Sequence, residues 1–112
     1  MKDATIIPLT PEKFSSFIQK GWALVDLWST MCIHCERMRS ILLNVAPKVE
    51  GFIQIGTLCI DDDNTDELIE PYQVRHVPTL LIFHDGNLVE KHIGVLDEEA
   101  MMEKFKSLGI VK

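Results

Sequence analysis

Cys32 and Cys35 stand three positions apart in the segment Trp28-Ser29-Thr30-Met31-Cys32-Ile33-His34-Cys35. With the first cysteine at the mouth of a helix, such a pair closes a small disulfide across one helical turn. Unpaired backbone N–H groups and the helix dipole there favour an anion, which makes Cys32 the expected nucleophile. Cys35, one turn further on and on the apolar side, is placed to resolve a mixed disulfide. Half of a structural zinc site is the plainer alternative, but that chemistry wants four ligands. Cys59 stands alone, and His84 and His92 flank a turn, so no second ligand pair is expected and no metal. Covalent haem attachment needs His directly after the second cysteine, and position 36 is Glu. A cluster shared by two chains through this pair, or a module that only docks a partner, are the remaining rivals to redox exchange. Asp26 is the other chemical residue: a carboxylate within the apolar run Trp22-Ala23-Leu24-Val25-Asp26-Leu27-Trp28 is costly to ionise, so its pKa should be raised.

The elements that must position these residues read clearly. Thr10-Pro11-Glu12 is a helix start, with Thr as N-cap and Pro in the first turn. Phe14, Phe17 and Ile18 follow at helical spacing, and Gly21 ends the element. Trp22 to Trp28 is apolar on both faces apart from Asp26, as in a central strand of the parallel type. After Cys32, Met38, Ile41, Leu42, Val45, Ala46 and Val49 form one helical stripe. Phe52 to Ile60 is a strand, Asn64 to Tyr72 a short helix, and Thr79 to Phe83 a buried strand. Asp85-Gly86-Asn87 is a hairpin signal before a strand from Leu88 to Ile93, which Gly94 breaks. Asp97 then caps a last helix whose Met101, Phe105 and Leu108 face the core. The order β-α-β-α-β-α-β-β-α predicts an α/β domain: a sheet between helices, parallel at first, with the hairpin adding an antiparallel edge. Cys59, within a strand, is expected as a buried, inert small hydrophobe.

Composition bounds the rest. The chain has 112 residues, enough for one domain over 1–112, and 46% apolar with 25% charged residues is a globular balance. No apolar run is long enough to span a bilayer, so no membrane partner is expected. The start, Met1-Lys2-Asp3-Ala4-Thr5-Ile6-Ile7-Pro8, has no apolar stretch of signal-peptide length, which predicts a cytoplasmic protein. Seventeen acidic against eleven basic side chains give a net charge of −6, and the densest basic group, Arg37 and Arg39, is offset by Glu36. Nucleic acid is therefore not an expected partner, since its phosphates call for a positive patch. Three cysteines are too few for a disulfide scaffold and suit a working thiol.

The run Val25-Asp26-Leu27-Trp28 followed by Cys32-x-x-Cys35, then Arg75-His76-Val77-Pro78-Thr79-Leu80, then Gly94, resembles the thioredoxin family in order and spacing over essentially the whole chain. The resemblance implies a thioredoxin fold, a mixed central sheet flanked by helices on both faces. It implies a thiol–disulfide oxidoreductase that acts on protein disulfides and dithiols, with a reductase of unstated type as partner. The redox-active disulfide Cys32–Cys35 stands in place of a cofactor, and a monomer is expected. By the same resemblance Asp26 accepts the Cys35 proton through water, and Pro78 is cis and faces the cysteine pair. Val77 offers its backbone to an extended substrate, with Met31 beside it. Trp28, Ile33 and His34 tune the pair. Ile33-His34 replaces the usual Gly-Pro, and a His here, as in strongly oxidising relatives, is expected to favour the Cys32 thiolate. Thr57 aligns with a lysine usual in the family, so Asp26 should lack a cationic neighbour. Met31 replaces a tryptophan, Glu36 a basic residue, and Ser40 a proline that kinks the helix.

Overall fold

The strand that carries Asp26 lies in the middle of a five-stranded sheet, in the order β1-β3-β2-β4-β5. The computed structural model describes residues 6–112; the N-terminal reading over Met1–Thr5 lies outside the described residues. In chain order the elements are β1 (Ile6–Pro8), α1 (Pro11–Ile18), β2 (Trp22–Trp28), α2 (Ile33–Val49) and β3 (Gln54–Cys59). They continue with α3 (Thr65–Ile69), a 3-10 turn over Glu70–Tyr72, β4 (Thr79–His84), β5 (Asn87–Ile93) and α4 (Glu98–Ser107). This is the thioredoxin fold.

Alternation along β2 divides the core into two layers. Leu24 packs with Met38, Leu42, Val45 and Val49 of α2 and with Met101 and Phe105 of α4. Val25 and Leu27 face the other way, toward Phe14 and Ile18 of α1 and Ile69 of α3. Asp26 and Trp28 follow Leu24 at alternate positions, so both belong to the α2 side. β2 is fully covered because helices lie on both of its faces.

Several boundaries differ from the sequence expectation for local reasons. β3 begins at Gln54 and not at Phe52, because the N–H groups of Phe52 and Ile53 turn back to the Val49 carbonyl (2.9 and 3.2 Å) and close the end of α2. Thr10 is the N-cap residue of α1 with an extended backbone, but its side chain makes no capping bond; Pro11 starts that helix by its fixed φ alone. Asp97 does cap α4, accepting from the Ala100 N–H at 2.8 Å. α2 runs unbroken past Ser40, with its proline, Pro47, in the last turns. The Asp85-Gly86 corner has positive φ at both residues (51° and 89°), as a two-residue hairpin turn requires. Asp85 also accepts from the Gly21 N–H at 2.7 Å, tying the turn to the start of β2.

One topological expectation is corrected. Antiparallel pairing begins not at the hairpin but one strand earlier: β2 runs parallel to β3 and antiparallel to β4, with Asp26 opposite Thr57 on one side and Leu80 on the other. The cause is the length of α3. Five helical residues advance only about 8 Å, against roughly 20 Å for a six-residue strand, so the chain is not carried back across the sheet. β4 therefore starts near the end where β3 finished and returns.

Met38 joins these layers. It is fully buried, and its sulfur accepts from the Leu96 N–H at 3.4 Å, linking α2 to the loop between β5 and α4. Met38→Ala should cost about 2–5 kcal/mol in urea unfolding, whereas the volume-conserving Met38→Leu should cost under about 1.5 kcal/mol. Equal losses for the two would show that the sulfur contact, not the packing, holds this joint.

Candidate active site

Cys32 and Cys35 form a disulfide at the start of α2, with their Cα atoms 5.2 Å apart. Cys32 is the helix N-cap, in extended conformation, and its sulfur accepts from the Cys35 N–H at 3.1 Å. The sulfur thus takes the place usually held by a Ser, Thr or Asp oxygen, and an N–H group that would otherwise lack a partner points at it. Cys35, one turn in, is buried, while Cys32 is partly exposed. A second tether fixes the approach to this turn: Asp61, just after β3, accepts from both the N–H and the hydroxyl of Thr30, each at 2.9 Å. Those two bonds, the backbone one first, hold the Asp61 carboxyl below its ordinary range. Ile60 adds a backbone bond to the Trp28 carbonyl at 2.8 Å. The sequence reading did not single out Asp61, whose place beside two further aspartates reads only as a solvated acidic run.

A groove of about 240 Å³ opens beside the disulfide, lined by Trp28, Ser29, Thr30, Met31, Cys32, Cys35, Glu36 and Arg39. Met31 stands fully in solvent at positive φ (58°), and Ile33 is 80% exposed, so two apolar knobs flank Cys32. His34 is also exposed. Val77 and Pro78 are outside the groove lining. The Val77–Pro78 peptide bond is cis, and because Thr79 pairs with Leu27, Pro78 lies level with Trp28 at this end of the sheet. Among the described residues no hydrogen bond uses the Val77 N–H or carbonyl.

Asp26 is wholly buried, and neither carboxylate oxygen has a hydrogen-bond partner. Burial pushes its pKa from 3.8 up to about 7, and the positive charge of Arg39 offsets part of that rise. This corrects the expectation of an Asp26 without a cationic neighbour: Thr57 does leave β3 without a charge, but α2 supplies one. Arg39 follows Cys35 by four residues and precedes Ala46 by seven, so it lies on the buried stripe of α2. Its guanidinium sits 5.3 Å from the Trp28 ring centre, and its Nε is buried without a partner. The helical spacing to Cys35 was the available signal, masked by reading Arg37 and Arg39 together as surface charge.

Among the described residues no group of three or more His, Cys, Asp and Glu is placed to hold a metal. Cys59 is a buried free cysteine. His84 stacks on Trp22 with ring centres 4.1 Å apart, and His92 is half-buried with its ring 3.4 Å from the Val95 carbonyl.

The raised Asp26 pKa has a consequence for stability. Between pH 3.8 and about 7 the unfolded chain has released this proton while the folded protein keeps it, so stability falls as pH rises through that window and levels off above it. The full cost above pH 7 is about 4 kcal/mol at roughly 1.4 kcal/mol per unit. Asp26→Asn should remove this fall, so that urea unfolding of the oxidised variant and parent diverges steadily from pH 4 to 7. Parallel stability curves over that range would exclude a buried acid that titrates late.

The comparisons agree with this geometry. The family model described as Thioredoxin matches residues 5–107. Curated thioredoxins of Staphylococcus aureus, including those of strains Mu50, MW2 and N315, are each 34% identical over 98 residues, covering 88% of this chain and 92% of their own. A disulfide capping the first turn of a helix, on this sheet and with this likeness, leaves little room for another assignment: the chain belongs to the thioredoxin family and is a thiol–disulfide oxidoreductase that acts through Cys32 and Cys35.

Proposed function

We propose that Cys32 is the attacking and Cys35 the resolving sulfur, with Asp26 as the proton acceptor between them. The observation that carries this reading is the asymmetry of the pair: one sulfur is partly exposed and caps a helix, and the other is buried on the side where Asp26 lies. The Cys32 thiolate attacks a client disulfide, forming a mixed disulfide and releasing one client thiolate. The Cys35 thiol gives its proton through water to the Asp26 carboxylate, and its sulfur attacks Cys32, releasing the second client thiolate. The client gains two electrons, and the enzyme ends as the Cys32–Cys35 disulfide. The reverse cycle oxidises a dithiol. No cofactor beyond the cysteine pair takes part.

The client lies as an extended segment across Met31 and along Val77-Pro78, where the free Val77 N–H and carbonyl offer strand-like hydrogen bonds. The exposed side chains of Met31 and Ile33 give an apolar rim for it, and Trp28 forms the floor. The chain works as one domain over residues 1–112, as a monomer, on protein substrates and not on nucleic acid or at a membrane. A cytoplasmic location suits the free Cys59 thiol. Glu36 and Met31 alter the surface that a reductase must recognise, so its reductase has a matching, less acidic contact face.

The assay for this reading is client trapping. Cys35→Ser should accumulate mixed disulfides with a protein client on non-reducing gels, and Cys32→Ser should lose turnover and trap nothing. Cys59→Ser should leave turnover nearly unchanged. Trapping by Cys32→Ser instead would reverse the roles.

His34 is proposed to raise the potential by stabilising the Cys32 thiolate, a contact useful only in the reduced state. Replacing Ile33 by Gly together with His34 by Pro should then lower the reduction potential by tens of millivolts, from an interaction of ~1–2 kcal/mol. The Cys32 thiol pKa should rise in step. An unchanged potential in glutathione redox buffers would make His34 a solvated bystander.

A further inference from the structure

We infer that Arg39 is a positioning residue for the redox step: its charge favours the ionised, proton-accepting form of the buried Asp26 carboxylate. The inference rests on the reading of Asp26 as the proton acceptor and goes beyond it by assigning the counter-charge.

Three observations converge on Arg39. It lies on the stripe of α2 that otherwise buries Cys35, Met38, Leu42 and Val45, a costly place for a cation that serves only solubility. Its guanidinium is laid over Trp28, and Trp28 and Asp26 are alternate residues on the same face of β2, so this contact points the charge at the α2 side of the sheet. It also lines the same groove as both cysteines. No ion pair joins Arg39 to Asp26, and the carboxylate oxygens stay unpartnered. The coupling therefore acts through space in a poorly screened interior, and it favours the carboxylate without locking it in a bond that would block its proton-accepting role.

Among the described residues, other ionisable groups do not supply this charge. Of the residues paired with Asp26, Thr57 and Leu80 are neutral. His92 lies one strand beyond Leu80, with its ring at the Val95 carbonyl. On the helices above, Lys104 is held by Glu90 and Lys48 by Glu98. Glu36 is on the groove rim and exposed, and its sign is wrong. Arg37 is exposed on the outer side of α2.

In the resolving step the proton leaves the Cys35 sulfur for the Asp26 carboxylate, and the Cys35 electron pair displaces the client sulfur from Cys32. Removing the Arg39 charge leaves more Asp26 protonated at neutral pH, so fewer molecules can accept that proton and resolution slows.

The test uses the reduced full chain with Arg39→Gln, Arg39→Lys, Asp26→Asn and the double variant Asp26→Asn with Arg39→Gln. The Asp26 carboxyl is titrated by carbon-13 NMR, and resolution is followed as the second thiolate released from Ellman's reagent. Arg39→Gln should move the Asp26 midpoint upward by on the order of one unit, a tenfold loss of carboxylate per unit. It should slow resolution several-fold at pH 7, with recovery at higher pH. Arg39→Lys should restore both in large part, which a purely structural role for the guanidinium would not predict. In the Asp26→Asn background, Arg39→Gln should change resolution no further. An Asp26 midpoint unmoved by Arg39→Gln overturns the inference. A midpoint that moves while resolution ignores both Arg39→Gln and Asp26→Asn upholds the coupling and overturns Asp26 as the proton acceptor.

Discussion

A sulfur caps the first turn of α2, and the redox end of the molecule is organised around that bond. The Cys35 N–H points at the Cys32 sulfur, so the helix terminus offers a donor and a partial positive charge where a thiolate forms. That advantage exists only while the turn stays in place against the end of β2. Asp61 gripping Thr30 from the β3 side, and Ile60 bonded to Trp28, keep it there. The loop between β2 and α2 is short, and Trp28 and Thr30 at its start are both anchored to the segment that follows β3. The exposed knobs Met31 and Ile33 can then project into solvent without loosening the cysteines behind them.

Beneath this turn the fold keeps a carboxyl that destabilises it. Asp26 has no hydrogen bond and no water-facing surface, and an apolar residue of similar size would pack there at less cost. Its position follows from strand alternation, which sets it between Leu24 and Trp28 on the face that α2 covers. Burial alone would raise the titration of this acid further. A cation on the overlying helix brings the titration back to about 7, where a group both accepts and returns a proton readily. Stability is thus given up at one side chain, which the proposed proton transfer would use.

Much of this was legible in the sequence, because it depends on local rules. The period of the α2 stripe, the Asp85-Gly86 turn, the Asp97 cap and the lone acid in an apolar strand each announce themselves within a few residues. What escaped depends on contacts between distant segments. Asp61 meets Thr30 across thirty-one positions, and nothing in an acidic run says which carboxylate turns inward. The reversal at β4 follows from how short α3 is, and a run from Asn64 to Tyr72 does not reveal that only its first half is α-helical. Arg39 was missed differently. Its helical register was readable, but a charged side chain on a core stripe is normally discounted, and here its charge reaches Asp26.

Glu36 and Arg39 both line the groove beside the disulfide, one helical turn apart and with opposite charges. Their effects do not cancel. Glu36 is exposed, so water and salt screen its charge over a distance of roughly one Debye length, about 8 Å in physiological salt. Arg39 has its Nε buried and its guanidinium laid on an indole ring, where the surroundings polarise far less. At Asp26 the charge that is felt is the inner one, Arg39, and raising the salt concentration weakens Glu36 first. Glu36 lies on the exposed rim of the groove, while Arg39 lies partly buried beneath it, against Trp28.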